Sequence, residues 1–307
     1  ALYGYFELFF GLDFLSLFNG DEYIKRQLTQ QIESGYWEKV LRQTGFVLSG
    51  LSDTFMTTFF NLPVFADILP RIWRIVGPNF HPISYAYALS ILSVTLLFRG
   101  RWLLPMFFFP LLLIIGSKGA MVLLLVAATA LLLLRLSGPK LAALFVVASS
   151  VAWVSLAILF GMRSGDYHVL GFFAGIRDFL SNPLGEGLGI GGNLSSDSSR
   201  LDWEAAQVTG ASAVPVESAV GVMLYQMGIG ALAFFGFLFA IAATLLRRFL
   251  ATAEPEYLAG FAMITVVSAN AVLQEEAFYS PLALGLILLI TSGTLVRAIR
   301  SAPQAGT

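Results

Sequence analysis

Long apolar runs, separated by short polar stretches, dominate the pattern of this 307-residue chain. A helix needs about 20 apolar residues to cross a bilayer, and about seven runs approach or exceed that length. They cover residues 82–98, 102–116, 119–134, 141–161, 217–246, 257–274 and 281–297. An eighth stretch, 1–18, carries Glu7 and Asp13 and is interpreted as the end of a span or as an interfacial helix. The pattern predicts an all-α, polytopic transmembrane helix bundle of about seven to eight spans.

Composition supports this prediction and narrows the chemistry. The chain is 57% hydrophobic and 12% charged, whereas a soluble domain has about 25% charged residues. We therefore expect a single polytopic membrane domain over residues 1–307, and leave open that residues upstream of Ala1 add further spans. The chain has no cysteine and two histidines, so we expect neither a thiolate site nor a histidine-rich metal cage, and we expect no cofactor. A net charge of −1 gives no reason to expect nucleic acid as a partner.

Basic residues are concentrated in four short loops that follow alternate spans, at 99–101, 135–140, 247–257 and 297–300. Their basic side chains are Arg99, Arg101, Arg135, Lys140, Arg247, Arg248, Arg297 and Arg300. By the positive-inside rule these loops are cytoplasmic. Strict alternation then predicts that the two long segments, 20–80 and 162–216, are extracytoplasmic.

The large extracytoplasmic loop, 162–216, begins with a helical pattern. Residues 166–182, "DYHVLGFFAGIRDFLSN", place their large apolar side chains on one face, which is typical of an amphipathic helix. Asp166 and Ser164 are candidate N-caps. His168 and Arg177 lie about 180° apart on this helix, so they are not expected to point into one site. His168, in the first turn, is the freer of the two to face a site.

A glycine-rich stretch, "NPLGEGLGIGG", follows at residues 182–192. Pro183 is expected to end the preceding helix. Glycines allow backbone amides to approach a ligand closely or to adopt positive φ, which gives Gly185, Gly187 and Gly189 an anion-binding interpretation. The alternative interpretation is a flexible connector. The stretch is also interpreted as a hinge that joins two candidate catalytic groups, His168 and Glu217, with exposed amides available to an anionic ligand.

Ionisable residues at the predicted outer ends of the spans are the candidates for chemistry. Glu217, with Ser218, opens the fifth span; it suits the positive end of the helix dipole, and it is also placed to accept a proton. Lys118 lies between two short apolar arms and is either a snorkelling lysine or an anion clamp. Arg42 precedes an apolar patch, and is either a surface charge or part of the site.

Several motifs occur in a characteristic order over residues 38–297. An R-x-x-G-F element runs from Arg42 to Phe46, "GSKGA" lies between two apolar arms, and "NPLGEGLGIGG" is followed by "ES" and then "YQMGIGALAFFGF". This order resembles the O-antigen ligase and O-antigen polymerase superfamily of bacterial polysaccharide assembly. The resemblance implies a fold related to C-type membrane glycosyltransferases. It also implies metal-independent transfer of a glycan from a polyprenyl-pyrophosphate carrier to an acceptor on the periplasmic side.

The resemblance also implies roles for individual residues. The implied catalytic residues are Glu217 and His168. The implied pyrophosphate- or sugar-binding residues are Arg42, Lys118, Arg177, Arg163, Ser218, Gly185, Gly187 and Gly189. Two departures matter: Glu217 and Ser218 stand where the ligases have a histidine, which favours a polymerase, and Lys118 replaces an arginine, which removes the bidentate fork.

The expected function is polymerisation of a surface polysaccharide in the bacterial inner membrane, with inversion at the anomeric carbon. Its partners would be a polyprenyl-pyrophosphate-linked glycan donor, a glycan acceptor, membrane lipid and other polysaccharide-assembly proteins. One alternative is a ligase that moves a finished glycan to a lipid or protein. Others are a lipid-linked sugar flippase, for which broken helices with polar residues at mid-membrane are expected, and a noncatalytic scaffold.

Overall fold

The computed structural model describes residues 1–13, 20–33, 35–44, 47–59, 68–193 and 203–301. Within these ranges the chain is helical except for loops and one pair of two-residue antiparallel strands, β1 (Met56–Thr57) and β2 (Ile72–Trp73). The chain divides into two compact units. The first comprises Ala1–Leu89 and Met106–Lys118, and the second comprises Ser90–Pro105 and Gly119–Thr307.

The first unit contains the short helices and the strand pair. It also contains residues 82–89 and 106–115 of two apolar helices whose remaining residues belong to the second unit. The helices are α1 (Leu2–Phe10), α2 (Asp21–Glu33), α3 (Tyr36–Thr44), α4 (Leu51–Thr54), α5 (Pro82–Phe98) and α6 (Leu103–Ile115). The apolar stretch expected at 1–18 is a helix only to Phe10, and residues 14–19 lie outside the described ranges.

A buried carboxylate organises the first unit. Glu7 is fully buried in α1. It accepts the amides of Val76 at 2.7 Å and Gly77 at 2.9 Å, and the indole N–H of Trp73 at 3.2 Å. A buried carboxylate is tolerated when hydrogen bonds replace its water. These contacts explain why an acid interrupts this apolar stretch: it holds the segment after β2 against α1.

The second unit contains the longer helices. They are α7 (Lys118–Ser137, whose first residue belongs to the first unit), α8 (Pro139–Ser164), α9 (Tyr167–Ser181), α10 (Trp203–Thr209), α11 (Ala219–Met227), α12 (Ile229–Thr252), α13 (Pro255–Asn270), α14 (Glu276–Tyr279), a π-helix (Pro281–Gly285) and α15 (Leu286–Ser301).

Three helices, α7, α8 and α12, are long and apolar enough to cross a membrane. Most residues in the apolar windows of α8 and α12 are not buried by protein, at 17% and 22% buried. Apolar side chains that the fold leaves uncovered on a helix of this length are typical of a lipid-facing surface. Shorter apolar helices occur at Pro82–Phe98, Leu103–Ile115 and Pro281–Val296. The chain is therefore a helical protein of membrane type.

The fifth expected span, 217–246, is two helices and not one. α11 ends at Met227, α12 begins at Ile229, and Gly228 between them has φ 51° and ψ −126°. This backbone conformation is accessible to glycine and strained for other residues. A side chain at Gly228 would also overlap the carbonyl oxygen of Pro183. The continuous span was predicted from the mean hydropathy of residues 217–246, and mean hydropathy does not depend on the backbone conformation of a single glycine.

Two glycines bring α9 into direct backbone contact with the start of α11. A Cβ atom added to Gly171 would overlap the carbonyl oxygen of Val216, and one added to Gly175 would overlap that of Gly221. Glycines four residues apart form a small-xxx-small surface, which allows two helices in a membrane environment to approach closely. This crossing places the beginning of α9 beside residue 217.

The crossing makes a direct prediction for Gly175→Ala. The new methyl group meets a backbone carbonyl that cannot rotate away, so we expect a loss of about 1–3 kcal/mol in stability. The purified chain is heated in detergent to a series of temperatures, and size-exclusion chromatography measures how much folded protein remains. The expected effect is a lower midpoint temperature.

Gly236→Ala in α12 is the matched control, because nothing lies within 4 Å of a Cβ added there. Its expected effect is neutral or stabilising by up to about 1 kcal/mol, since alanine is the better helix former. Equal midpoint temperatures for the two variants would contradict the close helix crossing.

Candidate functional site

The turn between α8 and α9 fixes the first candidate catalytic residue. Gly165 ends α8 in the left-handed conformation, with φ 64°. Asp166 is then the N-cap of α9, and its carboxylate accepts the amide of His168 at 3.0 Å. The predicted cap at Asp166 is confirmed, whereas Ser164 is the last residue of α8 and not a cap of α9. His168 consequently lies in the first turn of α9, one residue after its start.

His168 and Glu217 are in contact in the structure. The imidazole Nδ1 lies 3.7 Å from the Oε2 atom of Glu217, and each side chain is about one quarter exposed, at 26% and 27%. The same nitrogen is 3.5 Å from the backbone carbonyl oxygen of Glu217. A carboxylate in contact with an accessible imidazole is an arrangement that general acid–base chemistry can use. The two residues that the sequence analysis selected as catalytic therefore form one acid–base pair.

The backbone of Glu217 is held in an unusual conformation. Its φ is 64°, in the left-handed region, where a residue with a side chain is strained. The Glu217 amide donates to the Oε1 atom of Glu275 at 2.8 Å. Ser218 follows as the N-cap of α11, where its hydroxyl accepts the amide of Gly221 at 3.1 Å. Ser218 is completely buried and its hydroxyl is enclosed as a helix cap, which gives this side chain a structural role; its expected contact with pyrophosphate or sugar stays a prediction.

Glu275 is a residue of this site that the sequence analysis overlooked. The residue is 7% exposed, and both carboxylate oxygens lie 3.0 Å from the amide nitrogen of Asn193. Burial raises the pKa of Glu275 to about 7, the amides of Asn193 and Glu217 oppose that rise, and the nearby Glu217 and Glu276 carboxylates add to it. Glu275 could have been selected from the sequence, because it is an acid in a short loop between two apolar helices, where a charge without a partner is costly.

The glycine loop, residues 182–192, is docked onto the break between α11 and α12. The amide of Glu186 donates to the carbonyl of Tyr225 at 2.8 Å, and that of Gly187 donates to the carbonyl of Gln226 at 3.1 Å. In return, the amide of Ile229 donates to the carbonyl of Pro183 at 2.8 Å. These bonds occupy backbone groups that the helix break would leave unsatisfied. The interpretation of the loop as a hinge with exposed amides is wrong for these positions.

The three glycines proposed for anion binding differ in their surroundings. All have positive φ, at 82° for Gly185, 110° for Gly187 and 86° for Gly189. A Cβ at Gly185 would lie 2.6 Å from the carbonyl oxygen of Gln226, whereas nothing lies within 4 Å of one at Gly189. Gly185 therefore serves close packing, and Gly189 borders open space that a ligand can enter.

Arg177 and Arg163 are the cationic candidates within the second unit. Arg177 donates to the carbonyl oxygen of Ser212 at 2.6 Å, on a different side of α9 from the His168–Glu217 contact, as its angular separation from His168 predicts. It lies in a groove whose other walls are mainly apolar, including Leu170, Phe173 and Leu180. Arg163 is exposed in the last turn of α8.

The other two cationic candidates belong to the first unit. Arg42 is in the last turn of α3 and forms an exposed ion pair with Glu38 at 3.3 Å. An exposed pair of this kind contributes little stability, so the guanidinium can exchange Glu38 for another anion. The Gly45 and Phe46 of its motif lie outside the described residues. Lys118 is exposed at the first position of α7.

No family model, curated protein or solved structure matches the chain. The resemblance to the O-antigen ligase and polymerase superfamily therefore stays a prediction. In the described ranges, no group of three or more His, Asp or Glu side chains is arranged to hold a metal ion. The site is described by its own geometry: an imidazole–carboxylate pair, a second, buried carboxylate and a docked glycine loop.

The docking of the glycine loop predicts different effects for two alanine substitutions. Gly185→Ala and Gly189→Ala both force a side chain into the left-handed region, which costs about 1–2 kcal/mol. Gly185→Ala adds an overlap with the α11 backbone, so we expect it to detach the loop. A Glu-specific protease should then cleave after Glu186 about ten-fold faster in Gly185→Ala than in Gly189→Ala, as measured by mass spectrometry of the peptide product. Equal cleavage rates would show that the loop is not docked.

Proposed function

We propose that this chain is a membrane glycosyltransferase that polymerises a surface polysaccharide. The proposal places about seven to eight spans in the bacterial inner membrane, with segments 20–80 and 162–216 on the periplasmic side. The observation that supports it best is the contact between His168 and Glu217, because an accessible acid–base pair is what activation of a sugar hydroxyl requires.

The proposed reaction joins two glycans. An acceptor sugar hydroxyl attacks the anomeric carbon of a sugar on a polyprenyl-pyrophosphate carrier. The new carbon–oxygen bond forms as the bond to the pyrophosphate breaks, and the anomeric configuration inverts. The hydroxyl proton passes to the pair formed by His168 and Glu217, and either residue can be the one that takes it. The carrier leaves as polyprenyl pyrophosphate, and the resemblance implies that no metal is needed.

Positive charge must stabilise the leaving pyrophosphate. Arg177 lies on a different side of α9 from His168, so we assign it to a part of the carrier away from the bond that breaks; its bond to the Ser212 carbonyl leaves other guanidinium N–H donors for an anion. The apolar groove beside it offers a surface for the prenyl tail. Arg163 is a second exposed cation of the same unit. Arg42 and Lys118, which lie in the first unit, are candidates from the resemblance alone, and Lys118 would act as a point charge and not as a fork.

A ligase is the alternative within the same chemical class. It would use the same pair of His168 and Glu217 and differ in its acceptor, which would be a lipid or a protein. The "ES" sequence at Glu217 and Ser218 favours the polymerase, because the ligases have a histidine at the first of these positions.

A flippase is the alternative that one structural observation favours. The break at Gly228 divides an apolar helix, and divided helices are typical of transporter binding sites. In transporters, the backbone groups at such a break bind substrate or ions. Here, Gly187 and Ile229 donate to carbonyls across the break. Because the glycine loop occupies these groups, the break is better explained as a docking place for the loop. A noncatalytic scaffold, the remaining alternative, predicts that no charged residue of the site matters.

The proposal predicts that Glu217→Gln and His168→Ala shorten or abolish the polymer. Loss of a positioned acid or base lowers the rate by about 10²–10⁴-fold. The length distribution of the polysaccharide is measured in cells in which membrane levels of each variant equal those of the unaltered chain. Glu186→Gln, which removes an exposed acid of the glycine loop, is the control and should give normal lengths.

Two outcomes would contradict the polymerase. Normal lengths in both variants would remove the acid–base role. Normal repeat polymer with loss of its transfer to a lipid or protein would instead identify a ligase.

A further inference from the structure

Glu275 joins three separate parts of the chain. Its carboxylate accepts the amide of Asn193, just after the glycine loop, and the amide of Glu217, just before α11. Its own backbone is fixed, because its carbonyl accepts the amides of Phe278 at 3.1 Å and Tyr279 at 2.9 Å in α14. The backbone of Glu275 is thus fixed by α14. Its carboxylate accepts hydrogen bonds from Asn193, at the end of the glycine loop, and from Glu217, just before α11.

Glu217 needs such an acceptor. Its left-handed backbone is strained, and a strained conformation persists only when surrounding contacts determine it. The amide that donates to Glu275 belongs to the strained residue itself, and the side chain of that residue contacts His168. Loss of this hydrogen bond would let the backbone relax and move the Glu217 carboxylate away from the imidazole.

We propose that Glu275 is the positioning residue of the site: it fixes the Glu217 carboxylate beside His168 and ties the end of the glycine loop to the same point. This inference rests on the proposed function for its role in catalysis. Glu275 itself is buried, so its proposed role is exerted through Glu217 and not by direct contact with a substrate. It acts by holding the acid–base pair in its reactive geometry.

The arrangement is also sensitive to pH. Glu217 and Glu276 face Glu275 and raise its pKa, which burial brings to about 7. Tyr279 lies close enough for the Glu275 charge to raise the pKa of its hydroxyl further. As the pH falls through about 7, Glu275 takes up a proton and its charge-assisted bonds to the two amides weaken. Protection of these amides is therefore present above that pH and decreases below it.

Hydrogen exchange of the full chain in lipid nanodiscs tests this positioning directly. In Glu275→Gln, we expect the protection factors of the Glu217 and Asn193 amides to fall about ten-fold, because each amide loses one charge-assisted hydrogen bond. Glu276→Gln, which removes the adjacent carboxylate, should leave both amides unchanged. Glu275→Asp keeps the charge on a shorter side chain and should restore part of the protection.

The unaltered chain provides a second measurement that needs no substitution. Its protection factors at these two amides should fall between about pH 8.5 and about pH 5.5, which bracket the Glu275 pKa of about 7. In Glu275→Gln this pH dependence should disappear. A pH dependence that persists in Glu275→Gln would contradict its assignment to Glu275.

Activity completes the test, with the host's own polyprenyl-pyrophosphate-linked repeat unit as the substrate in isolated membranes. Glu275→Gln should lower kcat about ten-fold while KM stays within about two-fold, because binding groups are retained and the pair is displaced. Unchanged protection at both amides overturns the inference, and so does lost protection with normal kcat. A complete lack of transfer by the unaltered chain would instead refute the proposed function, and the exchange measurement would still decide whether Glu275 holds Glu217.

Discussion

The backbone contact between α9 and the start of α11 is the constraint on which the site depends. Gly171 and Gly175 remove the side chains that would separate the two segments, so carbonyl oxygens of Val216 and Gly221 fill the space. A wider crossing would move the first turn of α9 away from residue 217. His168 and Glu217 would then lose the contact that makes them a pair.

Backbone amides hold the rest of the site around that crossing. They donate to the carboxylate of Glu275 and to backbone carbonyls between the glycine loop and the helix break. Glu275 holds Glu217 and Asn193, and the glycine loop fills the break at Gly228. A similar device occurs in the first unit, where buried Glu7 binds consecutive backbone amides. In both units a single carboxylate fixes a non-helical segment. This suits a helical protein of membrane type, because non-helical segments at membrane depth need internal partners for their polar groups.

Local patterns in the sequence were sufficient to predict α9, its cap at Asp166 and the divergence of His168 and Arg177. Features that depend on contacts between distant segments were not predicted. The role of Glu275 depends on amides far away in sequence, and the burial of Ser218 depends on the packing of α11. The close helix crossing could have been inferred from the four-residue spacing of glycines in α9, whereas the break at Gly228 lies hidden in an apolar run.

Release of the carrier by the purified chain tests the central claim most directly. The chain is reconstituted in liposomes with a polyprenyl-pyrophosphate-linked glycan donor and a glycan acceptor, and free polyprenyl pyrophosphate is measured over time. The account predicts release that depends on the acceptor and that disappears when His168 and Glu217 are both replaced. Movement of intact donor across the bilayer without release, or equal release by the doubly substituted chain, would contradict it.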